Sequence, residues 1–153
     1  VTRFNFRFQK ILELKENETQ LAQVEMAEAL KKEQAVREQS EVLHSKITQA
    51  EEMKKAKEQK GIPISELRML EEYIHQLYEQ SFMAKREVAT HERNVSRSQD
   101  ALKEKAREEK TWGNLKEQNY AAHQKEHQAA EQNFFDDLAG SRYYRLGRTG
   151  DAQ

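Results

Sequence analysis

The chain has 153 residues, 26 basic and 27 acidic, for a net charge of −1; charged side chains make up 35% and hydrophobic ones only 36%. An ordinary globular domain is roughly 45–50% apolar, so the chain lacks material for a thick core. Five glycines and one proline are too few for the turns of a sandwich or barrel. Without cysteine there is no disulfide framework and no thiolate chemistry. No apolar run approaches the ~18 residues of a membrane span, and the basic opening VTRFNFRFQK has no apolar stretch behind it to make a secretory leader. Balanced charge argues against a nucleic-acid binder. A disordered chain of such low hydrophobicity would carry high net charge and no periodicity. Glu, Lys, Gln, Ala and Arg dominate, as in long helices and coiled coils.

In chain order, the sequence predicts an aromatic and basic lead-in over 1–8, a helix over about 9–59, a turn at 60–64, a second helix over about 65–138, and a flexible tail over 139–153, in which no helical pattern is read beyond Gly140. In the first helix Ala22, Met26, Ala29, Glu33, Val36, Ser40, Leu43, Ile47 and Ala50 alternate three- and four-residue steps, a heptad seam. Gly61 stands where a helix stops in the left-handed region, after Lys54, Lys55, Lys57 and Lys60 at the negative end of the helix dipole. Ser65 is read as the N-cap of the second helix, with Ile64 and Met69 as a hydrophobic staple. That helix repeats the seam through Leu67, Leu70, Ile74, Leu77, Ser81, Ala84, Val88, His91, Val95, Ser98 and Leu102. Counted outward from the turn, Ala50 meets Ile74, Ile47 meets Leu77, Ser40 meets Ala84 and Met26 meets Ser98, each pair joining an a to a d position. The expected fold is all-α: a long antiparallel two-stranded coiled-coil hairpin, roughly 75 Å for 50 residues.

Chemistry is sparse. His123, Glu126 and His127 follow the H-x-x-E-H order of some zinc peptidases, but a two-helix hairpin supplies neither cleft nor third ligand, so the pair is read as exposed and incidental. No glycine-rich phosphate loop exists, and no buried carboxylate suits acid–base catalysis. No enzyme, metal or cofactor is expected. Glu33 and His91, opposed in one layer, form either a polar layer that fixes register or two side chains that snorkel outward; paired as ions, they would raise the His91 pKa. The lysine-rich stretch 51–60 carries balancing glutamates and reads as a solvated face.

Aromatic placement is the main functional clue. None occurs from Gln9 through Glu72, whereas Phe4, Phe6 and Phe8 open the chain and Phe134, Phe135, Tyr143 and Tyr144 lie near its end. A hairpin brings these groups together, either as a plug against fraying, with Trp112, or as a docking end with Arg3 and Arg7. Just past the turn lie Tyr73, Tyr78 and Phe82; Tyr78 and Phe82 fall outside the seam and, with His75, form an outward patch.

The opening Phe4-Asn-Phe6-Arg-Phe8-Gln9-Lys10-Ile11-Leu12-Glu13-Leu14-Lys15-Glu16, and Gly61-Ile62 followed by Tyr73-Ile74 and Leu77, resemble the FliJ proteins of the bacterial flagellar export apparatus. The resemblance implies a cytoplasmic, non-enzymatic protein, peripheral at the membrane face of the flagellar base. Its implied partners are the hexameric export ATPase, the cytoplasmic domain of the export gate membrane protein, and export chaperones, with no nucleic acid and no insertion into the membrane. By carry-over, Phe4, Phe6, Phe8, Ile11 and Leu14 belong to the ATPase-binding end, while Tyr73 and Leu77, together with the outward Tyr78 and Phe82, are candidates for gate contact. Gln80 and Ala84 depart from the family's commoner residues on that face, and Leu77 also falls in the seam. The competing reading is a structural coiled-coil arm or holdase-type chaperone without an ATPase partner.

Overall fold

The computed structural model describes residues 3–150, which form two helices, α1 over Gln9–Lys60 and α2 over Ile64–Gly150, packed against each other as an antiparallel coiled-coil hairpin. The chain divides into two compact units, one of residues 18–106 and one of 1–17 with 107–153. Among the described residues no helix is long and apolar enough to cross a membrane.

The unit 18–106 holds the turn and both seams. Every seam residue read from the heptads is buried or half-buried, and the residues between them are exposed. Its best-packed part lies next to the turn, where Ile47, Ala50, Ile74 and Leu77 form a buried cluster flanked by Leu43 and Leu70. Burying such a side chain contributes about 1.5–3 kcal/mol. Ionic contacts between the helices reinforce the register: Lys54 reaches Glu71 at 3.3 Å and Lys105 reaches Glu18 at 3.4 Å.

At the turn, Gly61 adopts φ +81° and its N–H closes the last turn on the Glu58 carbonyl at 3.3 Å. Glycine is needed there for its backbone angle, since an added Cβ would meet nothing within 4 Å. The start of α2 differs from the expected cap. The Leu67 N–H donates to the Pro63 carbonyl at 3.1 Å, which makes Pro63 the N-cap and places Ser65 inside the first turn. Nor is there a staple: Ile64 and Met69 are 71% and 74% exposed.

In the other unit, α1 begins at Gln9 after an irregular stretch and a turn. Lys15 reaches Glu108 at 3.0 Å, and Leu12 is buried. The expected end of α2 at 138 is too early, because the helix continues to Gly150. No proline interrupts 139–150, and local hydrogen bonds need no heptad partner, so a segment without apolar periodicity can still be helical. Residues 1–2 of the lead-in and 151–153 of the tail lie outside the described residues.

Candidate interaction surfaces

The lead-in alternates by burial as its spacing suggests: Phe6 is buried, Phe4 and Phe8 are half-buried, and Asn5 and Arg7 are exposed. Phe8 meets Trp112 edge-on with centroids 5.5 Å apart, and Phe6 meets Phe8 at 6.0 Å. Phe4 lies 5.2 Å from Tyr120 and 5.4 Å from His123. Trp112 and Tyr120 are two turns apart on α2, so they receive two rings of the lead-in from one helix face. The Arg7 guanidinium sits over the Phe8 ring at 5.5 Å.

The expected plug is therefore corrected in its membership. Phe134 and Phe135 touch each other at 5.9 Å and stay 61% and 62% exposed, as Tyr143 and Tyr144 also remain exposed. Tyr120 and His123 take their place. Sequence reading missed both because Tyr120 is an isolated aromatic and His123 drew attention as half of a metal motif. His123 and His127 are half-buried instead of exposed, and His127 pairs with Glu131 at 3.7 Å. Among the described residues, no three metal-ligating side chains converge. Of the remaining residues carried over for the ATPase end, Ile11 is half-buried and Leu14 is 55% exposed.

The polar layer also has a different pairing. Glu33 and His91 both occupy half-buried seam positions, but the Glu33 carboxylate accepts from Nε of Arg37, one turn on, at 3.0 Å. Arg37 then bridges the helices to Glu92 at 2.9 Å. These two carboxylates hold the guanidinium above its ordinary pKa, chiefly through the Glu33 hydrogen bond. An arginine one turn away outcompetes histidine because it stays charged at every relevant pH and offers a fork of donors.

The four gate candidates do not share one face. Leu77 is 4% exposed and belongs to the core, so it cannot also be a free contact. Tyr73 and Tyr78 are each 48% exposed, at g and e positions flanking the seam on opposite sides. Phe82, 64% exposed, lies on the Tyr78 side beneath the Arg86 guanidinium at 5.9 Å. The Tyr78 hydroxyl donates to Glu51 of α1, and this bond holds the phenol above its usual pKa. The outward patch is thus Tyr78 and Phe82, with His75 one turn earlier and paired to Glu79 at 3.2 Å.

The profile of the flagellar FliJ protein family matches residues 4–148. The chain belongs to the FliJ family. It is a component of flagellar protein export. It is 28% identical over 136 residues to the flagellar FliJ protein of Bacillus subtilis (strain 168), covering 89% of this chain and 92% of that relative. No solved structure matches. The match reaches well past the two stretches that carried the resemblance and takes in the helical residues 139–148.

Proposed function

We propose that this FliJ-family chain is a non-enzymatic, cytoplasmic adaptor at the membrane face of the flagellar base. It engages the hexameric export ATPase through the end that holds its lead-in, and the export gate through the patch near its turn; export chaperones are further partners. One observation carries this reading: each unit of a coiled coil presents aromatic or apolar surface that its own seam does not use. In one unit Leu14 and Arg7 are exposed while Phe6 is buried; in the other, Tyr78 and Phe82 stand outside the core. Exposed aromatics and arginines are the usual anchors of interfaces.

The test is a paired binding assay with purified export ATPase and the gate's cytoplasmic domain. Because Phe6 is buried, replacing it would confuse unfolding with lost contact, so Leu14→Ala with Arg7→Ala is the cleaner probe of the ATPase end. That variant is expected to lose ATPase binding and keep the gate, and Tyr78→Ala with Phe82→Ala to do the reverse. Equal loss of one partner by both variants would defeat the adaptor reading and favour a structural arm.

A further inference from the structure

From Gln128 to Gly150 every residue of α2 is exposed. The contacts of this stretch among the described residues stay within the helix: Gln132 to Asp136 at 3.2 Å, Phe134 to Phe135, and Arg148 over Tyr144 at 5.9 Å. Yet coiled-coil spacing recurs here, one residue out of step with the hairpin seam. Glu131, Phe134, Leu138, Ser141, Arg145 and Arg148 alternate three- and four-residue steps along one face. This stripe is split by charge. In the stripe and its flanking positions, Glu131 and Asp137 lie in the first half and Arg142, Arg145 and Arg148 in the second; Asp136 falls on the opposite side of the helix, and no carboxylate occurs from Leu138 through Gly150.

We infer that residues 131–148 pair antiparallel with the same segment of a second copy of this chain, forming a weak homodimer. In that arrangement a positions meet d positions, as inside the hairpin. Glu131 faces Arg148 of the second copy, Leu138 faces Ser141, and the Phe134 ring receives the Arg145 guanidinium as a cation–π partner. Each of these contacts occurs twice by symmetry. At the flanks, Phe135 lies beside Arg142, and Asp137 can accept from the Tyr144 hydroxyl. A parallel pair would set Arg145 on Arg145, Arg148 on Arg148 and Glu131 on Glu131, which like-charge repulsion disfavours. Charge complementarity thus selects both the occupant and its direction. The stripe covers under three heptads and contains polar residues, so the association is concentration-dependent and salt-sensitive. This inference goes beyond the adaptor reading and does not rest on it.

Sedimentation of the full chain, over a concentration series at low and high salt, tests the association. A monomer–dimer equilibrium that weakens with salt is expected. Arg142→Glu, Arg145→Glu and Arg148→Glu together, or Glu131→Arg with Asp137→Arg, should each raise the dissociation constant about tenfold or more. An equimolar mixture of these two variants should restore the dimer. All these side chains are exposed, and circular dichroism of the variants serves as the control that they keep their helices. The natural chain contains no cysteine, so direction can be read by disulfide formation. A Glu131→Cys chain mixed with an Arg148→Cys chain should form the mixed disulfide in preference to either self-linked product. A monomer at every concentration, charge variants that associate like the natural chain, or preferential self-linking of Glu131→Cys would each overturn the inference.

Discussion

Leu77 and Phe82 sit five residues apart on the same helix and have opposite fates. Leu77 fills the cluster with Ile47 and Ile74, so Leu77→Ala should cost about 2–3 kcal/mol in chemical denaturation, toward the low end for leucine because the seam is narrow. Phe82→Ala should stay within about 0.5 kcal/mol. Two glycines give a second contrast. Gly61→Ala forces a side chain into the left-handed region and should destabilise by about 1 kcal/mol. Gly113 lies inside α2 with nothing near its missing Cβ, so Gly113→Ala should stabilise by about 0.5–1 kcal/mol. Tyr78 supplies a pH dependence of known sign. Its phenol is raised above the ordinary value near 10, so the Glu51 bond contributes fully below that value and is lost as pH rises through the folded midpoint. In an absorbance titration of the phenolate, Glu51→Gln should bring the Tyr78 midpoint down.

Between helices, register is the property that matters most. Cysteines at Ser40 and Ala84, or at Met26 and Ser98, should form disulfides within one chain; predominant chain-to-chain products would contradict the hairpin. This register was legible in the sequence because a heptad stripe has no alternative partner once Gly61-Ile62-Pro63 turns the chain back. Packing through charged residues was less legible. In one unit Thr19 is buried and Lys105 half-buried, and in the other Leu12 is buried while Lys15, Glu108 and Trp112 are half-buried, so reading only apolar positions hides Lys15 and Lys105. The cap at Pro63 was missed because its carbonyl, a backbone group, does what Ser65 was expected to do with its side chain. The helix beyond 138 was missed for a related reason: seams are written in hydrophobicity, whereas helix formation needs only the absence of breakers. In the lead-in, the alternation of phenylalanines announced burial, but nothing local could name Tyr120 and His123 as the receiving rings. The exposed Tyr78 and Phe82 were legible from register alone, and Leu77 could be removed from their patch only once its burial was known.

At the level of the whole molecule, the described chain is all helix and turn apart from its short lead-in, and no large side chain is completely withdrawn from solvent. Stability is therefore spread along a narrow stripe instead of being concentrated in a core, and each unit can be weakened separately. Phe8→Ala should disturb the lead-in unit by about 1–3 kcal/mol through its Trp112 contact, with the near-ultraviolet signal of Trp112, the single tryptophan, reporting the change. The same thinness has a consequence for backbone protection. Amides near Ile47 and Leu77 can exchange their hydrogens only when the paired helices separate, whereas those from Gln128 to Gly150 need only a local unwinding of one unsupported helix. Exchange followed by mass spectrometry should therefore rise steeply past His127. Any partner that covers the segment would announce itself as a new block of slow amides, without a change in secondary structure.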